Sequence, residues 1–180
     1  VLAVGALVAS MAPSTAATPQ SAHRPMDAWA LAAATGVTIK DVRLSVPYGP
    51  PMPTYIVEPQ RARAPRSMAG ILFLHWLGDV HSDRTEYLAE AVALASKGVV
   101  SVLPQGVFPW ADAPDGTSDD LQRIDRQVSD FGAALDRLAA DAAVDPTRIA
   151  LVGHDYGAMF GALLSDEDPR IGTAVFETPD

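Results

Sequence analysis

One pentapeptide constrains the fold of this chain more than any other feature. Residues 153–157 have the sequence Gly-His-Asp-Tyr-Gly, follow an apolar run at residues 149–152 and precede a segment of small and apolar residues that extends to Leu164. The apolar run is typical of a buried strand, and the segment after the pentapeptide favours a helix. Glycines on both sides of Asp155 let the neighbouring backbone pass closely. The pattern therefore predicts a strand, a tight turn at Asp155 and a helix.

A strand, turn and helix of this kind is typical of a nucleophile elbow, in which the central side chain sits on a strained turn. The usual central residue is serine, whereas this chain has Asp155. A free aspartate has a pKa near about 3.9, so its carboxylate can attack carbon without first losing a proton. We expect Asp155 to be a nucleophile whose chemistry need not be ordinary ester hydrolysis. The alternative is that its carboxylate caps the following helix and holds the turn, or marks a scaffold that has lost catalysis.

The composition is that of one globular domain. The chain has 180 residues, of which 48% are hydrophobic, and this is enough for one sizeable core. With 22 acidic against 13 basic residues, its net charge is −9. Nucleic acid is excluded as a partner because phosphate binding needs clustered Lys and Arg. The absence of cysteine excludes disulfides, thiolate catalysis and thiolate metal sites.

The first 17 residues have the pattern of an export signal. They form an apolar stretch that ends in small residues at Thr15, Ala16 and Ala17, as a cleavage site of the A-x-A kind requires. We expect residues 1–17 to be an incomplete signal peptide of a secreted or periplasmic protein, residues 18–36 a linker with a short helix, and residues 37–180 the main domain. The alternatives are a disordered leader or a lipid anchor. The apolar run is too short to span a bilayer.

Strand and helix patterns alternate after the first 36 residues. Alternation at residues 37–46 and 54–57 predicts an antiparallel hairpin, and apolar runs at residues 70–74, 99–103, 149–152 and 171–176 predict strands. Asp83 and Glu86 resemble a capping box before a helix that ends at Gly98. The second helix has N-cap chemistry at residues 117–120 and an apolar face composed of Leu121, Ile124, Val128, Phe131, Leu135 and Leu138. We therefore expect an α/β fold with a mostly parallel sheet and an N-terminal antiparallel hairpin.

In this order of elements the chain resembles the α/β-hydrolase superfamily, from about Val37 onward. Residues 145–157, from Asp-Pro-Thr-Arg to the second glycine of the pentapeptide, look most like the dienelactone hydrolase branch. The pentapeptide itself is similar to that of haloalkane dehalogenases and epoxide hydrolases, in which the aspartate of Gly-His-Asp-x-Gly is the nucleophile. The resemblance implies a hydrolase that acts on a small-molecule substrate without a cofactor. It leaves open ester or lactone substrates and carbon–halide or epoxide substrates.

The resemblance also implies an oxyanion site made of backbone N–H groups. Tyr156, the residue after the nucleophile, is one expected donor. The other is Trp76 or Leu77, in the loop after the first parallel strand. Related hydrolases often have glycine directly after the histidine of this loop, whereas this chain has Trp76, whose indole we expect to line a substrate pocket.

The catalytic base is the largest gap in the resemblance. Triad order in this fold runs nucleophile, acid, histidine, yet His23, His75, His81 and His154 all precede Asp155. His154 is adjacent to Asp155 on the turn, where side chains diverge, so we do not expect it to be the base. The fold normally continues with two more strands. We therefore expect a C-terminally truncated piece that is inactive alone and associates through its last strand, with the base beyond it.

Several acidic residues have alternative explanations. Asp180 follows the last predicted strand and is a candidate triad acid, or a solvated loop carboxylate. Asp79, His81 and Asp83 suggest a metal, but we expect Asp83 to be a helix N-cap and predict no metal site. The acidic segment 112–120 lacks the spacing of a calcium loop. The remaining functional alternative is a non-catalytic binding domain on a hydrolase scaffold.

Overall fold

A mixed β-sheet with helices on both faces forms the protein. The computed structural model describes residues 25–61, 64–77, 83–106 and 116–178, so the predicted signal peptide and Asp180 lie outside the described residues. No helix in these ranges combines the length and the apolar character needed to cross a bilayer. The elements in chain order are α1 Pro25–Thr35, β1 Val37–Leu44, β2 Met52–Pro59, β3 Met68–Leu74, α2 Leu88–Ala95, β4 Val99–Pro104, α3 Ser118–Ala139, β5 Val144–His154, α4 Tyr156–Glu167 and β6 Ile171–Glu177.

Six strands within the described ranges pair in the order β1-β2-β4-β3-β5-β6. β1 and β2 form the predicted antiparallel hairpin, with Val37 opposite Pro59 and Leu44 opposite Met52. β2 is also antiparallel to β4, whereas β3 is parallel to β4 and β5, and β5 is parallel to β6. The predicted fold class is confirmed. The C-terminal ends of β3, β5 and β6 consequently meet at one edge of the sheet.

One face of the sheet is covered by α3 and α4. Thr117 caps α3, since its hydroxyl accepts a hydrogen bond from the Asp119 N–H at 3.3 Å, as the sequence predicted. The apolar face of α3 is buried against the sheet from Val128 onward, with Phe131 edge-on to Phe160 of α4 at 6.1 Å between ring centroids. The prediction for Leu121 was wrong. Its side chain is 64% exposed because the helix first contacts the core at Ile124.

The other face is covered by α1 and α2. The predicted apolar face of α2 is buried, namely Leu88, Ala91, Val92 and Ala95. The predicted capping box is wrong, because α2 begins at Leu88 and its N-cap is Tyr87. Asp83 instead accepts a hydrogen bond from the Thr85 N–H at 2.7 Å, and the Glu86 N–H binds the Asp83 carbonyl at 3.1 Å in a tight turn. This turn frees the Glu86 carboxylate for contacts elsewhere.

Candidate active site

A strained turn at Asp155 joins β5 to α4. Asp155 has φ 51° and ψ −113°, a conformation that residues with a side chain rarely adopt. Its N–H donates a hydrogen bond to the Glu177 carbonyl at 2.9 Å, and its carbonyl accepts one from the Met159 N–H at 3.0 Å. The predicted strand, tight turn and helix are therefore present. The turn places the Asp155 side chain at the C-terminal edge of the sheet.

Glycine is required on both sides of the turn for steric reasons. A Cβ atom at Gly153 would lie 2.4 Å from the Gly157 carbonyl oxygen, and one at Gly157 would lie 2.1 Å from the Leu74 carbonyl oxygen. Both distances are far shorter than any non-bonded contact allows. The close passage of α4 against the ends of β3 and β5 therefore depends on the two glycines of the pentapeptide.

The Asp155 side chain does not cap α4. It is half-buried, and it makes no hydrogen bond to the backbone N–H groups at the start of the helix. This geometry contradicts the capping explanation for an aspartate at this position. A carboxylate that is not used to satisfy the helix N-terminus remains available for other chemistry.

The loop after β3 contains the two alternative oxyanion donors, Trp76 and Leu77. The Trp76 N–H donates a hydrogen bond to Glu86 Oε2 at 2.8 Å, which engages it within the protein. This contact argues against Trp76 as the donor and leaves Leu77, which is half-buried, as the remaining candidate of the two. Tyr156 is the first residue of α4, and the first N–H groups of a helix have no partner within it.

Glu86 also contacts the elbow. Its Oε1 atom lies 2.7 Å from His154 Nδ1, so one carboxylate bonds both the loop after β3 and the residue before Asp155. The His154 ring stacks on Trp76, with 5.2 Å between ring centroids and an interplanar angle of 11°. Burial raises the pKa of Glu86, although its hydrogen bonds to Trp76 and His154 oppose the increase.

His75 is a buried residue that ties two loops together. Its Nε2 accepts a hydrogen bond from the Gly106 N–H at 3.0 Å, and its Nδ1 lies 2.8 Å from the Trp76 carbonyl oxygen. These partners assign the neutral tautomer with the proton on Nδ1. Burial lowers the pKa of His75, which is consistent with a neutral imidazole. Since both ring nitrogens are engaged, His75 is not placed to act as a base.

Tyr87 and Glu177 form a second polar contact beside the elbow. The Tyr87 hydroxyl donates a hydrogen bond to Glu177 Oε2 at 2.9 Å, and its ring stacks on Phe73 at 4.9 Å between centroids. Burial, followed by the bond to Glu177, raises the pKa of Tyr87. The end of β6 is thereby linked to the start of α2 by side chains, as well as to Asp155 through its backbone.

Comparisons with known proteins identify the fold. No family model matches the chain, and no curated protein matches it. Among solved structures, a proposed dienelactone hydrolase from Klebsiella pneumoniae superposes with a TM-score of 0.54 at 17% identity, over 77% of this chain and 58% of that chain. A thermophilic carboxylesterase cloned from a metagenomic library gives a TM-score of 0.58 at 23% identity, over 84% of this chain and 51% of that one. The chain has an α/β-hydrolase fold.

An epoxide hydrolase from Vigna radiata is also similar, with a TM-score of 0.50 at 22% identity over 78% of this chain and 39% of the enzyme. This chain therefore spans between about two fifths and three fifths of the length of these three structures. Esterase, dienelactone hydrolase and epoxide hydrolase structures are all similar at identities below 25%. The likeness establishes the α/β-hydrolase fold and leaves the reaction open.

Two residues with specific contacts beside the elbow were not predicted as site residues. Glu86 was interpreted as part of a capping box, and Glu177 lies one residue beyond the predicted last strand. His154 was not expected to be the base, and in the structure its Nδ1 contacts Glu86. Asp180 and His81 lie outside the described residues. Within those ranges, no three His, Cys, Asp or Glu side chains converge as metal ligands would.

Proposed function

We propose that this chain is the core of a hydrolase in which Asp155 attacks an alkyl carbon that bears a halide or belongs to an epoxide. The observation that carries the proposal is the geometry of Asp155. The residue occupies a strained turn, and its carboxylate is not used to cap α4. Strain of this kind persists where the surrounding structure enforces it, and it is concentrated at functional sites. We also propose that the substrate is a small molecule, which the α/β-hydrolase fold supports.

The proposed reaction has two steps. An oxygen of the Asp155 carboxylate forms a bond to carbon as the halide leaves, or as one C–O bond of the epoxide breaks and the released alkoxide takes a proton from water. Water then attacks the carbonyl carbon of the resulting ester. The alcohol or diol departs, and the Asp155 carboxylate is regenerated with one oxygen from solvent. No proton has to be removed from the nucleophile, which is the chemical advantage of aspartate over serine in this reaction.

Hydrolysis of the ester develops negative charge on the former carboxylate oxygen. Backbone N–H groups at this point lower the barrier, and the loss of one such donor typically costs about 100-fold to 1,000-fold in rate. We assign this role to the N–H groups of Tyr156 and Leu77. The Trp76 N–H is not included because Glu86 engages it.

The attacking water requires a base, which the proposal draws from outside the described residues. His75 has both ring nitrogens engaged by the backbone, and His154 directly precedes Asp155 on the turn, where the two side chains diverge. By the order of catalytic groups in this fold, a histidine later in the protein would serve.

The transfer of solvent oxygen to Asp155 is the decisive test. The full-length protein is incubated in ¹⁸O-water for a single turnover with short haloalkanes and aryl epoxides, and the peptide that contains Asp155 is then weighed by mass spectrometry. We expect one ¹⁸O atom in Asp155 and none in an Asp155→Asn control. Turnover without label in Asp155 would overturn the nucleophilic role.

Ester or lactone hydrolysis is the second version of the proposal, supported by the similarity to esterase structures. Here Asp155 occupies the position at which such enzymes usually carry serine. An Asp155→Ser variant should then preserve or raise the hydrolysis of p-nitrophenyl esters relative to the parent chain. A complete loss of that activity in a folded variant would count against this version.

A non-catalytic binding domain is the alternative from a different class of function. It is favoured by the engagement of both ring nitrogens of His75, which is the described histidine outside the elbow. The two classes differ in a simple observation. A histidine in the protein after the last strand of the sheet supports catalysis, whereas a complete protein without one supports the binding domain.

Export of the protein is a further part of the proposal. The apolar stretch at residues 1–17 supports a secreted or periplasmic location, although it lies outside the described residues. The intact mass of the native protein tests this directly. A mature N-terminus near Thr18 is expected, and a retained leader would contradict cleavage at that point.

A further inference from the structure

A single carboxylate connects the two halves of the candidate active site. Glu86 Oε2 accepts a hydrogen bond from the Trp76 N–H at 2.8 Å, and Glu86 Oε1 lies 2.7 Å from His154 Nδ1. Trp76 is in the loop that carries the expected oxyanion donor Leu77, and His154 directly precedes Asp155. The Trp76 and His154 rings also stack on each other. The three residues form a closed contact set, in which each touches the other two.

We infer that Glu86 is a positioning residue, which fixes the loop of Leu77 relative to the Asp155 elbow and holds His154 in the tautomer with its proton on Nδ1. The inference rests on the proposed function, because positioning matters only if the site catalyses a reaction. It assigns Glu86 a role outside the nucleophile and oxyanion donors. Glu86 acts through Trp76 and His154 and need not touch the substrate.

The location of Glu86 explains why a carboxylate is suited to this role. Its two oxygens can each accept one hydrogen bond, and its partners are an N–H of the loop and a ring N–H of the elbow. The Glu86 and His154 side chains are only 20% and 22% exposed, so water competes weakly for these bonds. Hydrogen bonds to a charged acceptor are also stronger than neutral ones. An alanine provides neither acceptor.

A glutamine distinguishes the two contacts from each other. The amide oxygen of Gln can accept from the Trp76 N–H, but the amide NH₂ must donate to His154 Nδ1. The imidazole proton would then have to move to Nε2. Glu86→Gln should therefore keep the loop in place and change the His154 tautomer, whereas Glu86→Ala should release both contacts.

Glu90 provides a matched control on the same segment. It lies four residues after Glu86 and is also half-buried, whereas the contacts to the Trp76 N–H and to His154 Nδ1 are made by Glu86. If the loss of one negative charge were the cause of any change at Trp76 and His154, Glu90→Gln would produce the same change as Glu86→Gln. A positioning role predicts that only the Glu86 variants change the loop and the ring.

The experiment measures the full-length protein and its variants by NMR and by kinetics. In Glu86→Ala, hydrogen exchange of the Trp76 amide should accelerate by about tenfold or more, because its acceptor is removed. In Glu86→Gln that amide should stay protected, while the ¹⁵N shifts of the His154 ring should show the proton on Nε2. Glu90→Gln should match the parent protein in both. Unchanged Trp76 exchange in Glu86→Ala would overturn the positioning of the loop.

Turnover separates this inference from the proposed function. For a substrate that labels Asp155 with ¹⁸O, kcat of Glu86→Ala should fall by about 10-fold to 100-fold with little change in KM, since small displacements of catalytic groups are costly. Glu90→Gln should retain the parental kcat. An equal decrease in both variants would overturn the specific role of Glu86 without affecting Asp155. Failure of Asp155 labelling, with altered Trp76 exchange, would instead reject the proposed nucleophile.

Discussion

The N–H of Asp155 donates a hydrogen bond to the carbonyl oxygen of Glu177 at 2.9 Å. This bond anchors the strained turn to the end of β6, where His154 is in register with Glu177. The Met159 N–H binds the Asp155 carbonyl on the helix side, so the backbone is fixed on both sides of the side chain. The unusual dihedral angles of Asp155 are therefore imposed by its neighbours. Relief of the strain should increase stability without altering the fold.

Replacement of Asp155 by glycine should stabilise the protein. Glycine adopts φ 51° without a Cβ clash, so Asp155→Gly should raise the free energy of unfolding by about 1–2 kcal/mol while it removes the carboxylate. Asp155→Ala is the matched control because it loses the carboxylate and retains the Cβ atom. Denaturant unfolding of both variants provides the comparison. Equal stability of the two would show that the turn is not strained.

Replacement of Gly157 by alanine should have the opposite effect. The added Cβ would lie 2.1 Å from the Leu74 carbonyl oxygen, and relief of this clash requires movement of backbone. We expect a loss of about 3 kcal/mol or more in the free energy of unfolding. Gly132→Ala in α3 is the control, since the nearest atom to its Cβ is 4.0 Å away and alanine favours a helix by about 0.5–1 kcal/mol. A Gly157→Ala protein as stable as the parent would contradict this geometry.

Local patterns predicted most of the fold. The elbow was predictable because its glycines, its apolar strand and its helix are adjacent in the sequence. The N-cap at Thr117 and the apolar face of α3 were predictable for the same reason. Leu121 fits the period of this face and yet is exposed, because periodicity does not show where a helix meets the sheet.

The contacts around the elbow could not be predicted in the same way. Glu86 and His154 are 68 positions apart, and only the parallel pairing of β3 with β5 brings their segments together. The capping-box pattern also gave Glu86 a local explanation that was wrong. Glu177 approaches Tyr87 across 90 positions for a similar reason. The sequence does show that Glu86 lies near the loop after β3, but it does not show which residues the Glu86 carboxylate contacts.

The stability of the protein should depend on the ionisation of Glu86. Burial raises the pKa of Glu86 in the folded protein above the ordinary value of 4.5, which applies to the unfolded chain. At a pH between the unfolded-state pKa and the folded-state pKa, the folded state therefore binds more protons than the unfolded state. Stability should therefore decrease as pH rises through this window and become constant above it. Glu86→Gln cannot ionise and should lack this decrease. Denaturant unfolding of the parent and the variant at closely spaced pH values tests this, and parallel curves would contradict it.

Tyr87 should remain un-ionised for as long as the protein is folded. Burial raises its pKa, and its hydroxyl donates a hydrogen bond to Glu177. Alkaline titration followed at 295 nm should thus give the same absorbance change in the parent and in Tyr87→Phe until unfolding begins. The lost hydrogen bond should lower the free energy of unfolding by about 1 kcal/mol. An additional tyrosinate in the folded parent would contradict the expected state of Tyr87.

His75 should make the protein sensitive to mild acid. Burial lowers the pKa of His75 in the folded protein below the ordinary value of 6.5, which applies to the unfolded chain. At a pH between the folded-state pKa and the unfolded-state pKa, the imidazole is therefore protonated in the unfolded chain and neutral in the folded protein. The contribution of His75 to the free energy of unfolding should be complete above about pH 7 and should decrease as pH falls through this window. The decrease follows because the unfolded chain binds more protons than the folded protein there. His75→Asn should lack this slope and lose about 1–3 kcal/mol at neutral pH, since the Gly106 N–H would be left without its acceptor. Unfolding measured between about pH 5 and pH 8 tests both effects. A slope that is retained in His75→Asn would assign the sensitivity to another group, whereas its loss would identify His75 as the group that takes up the proton.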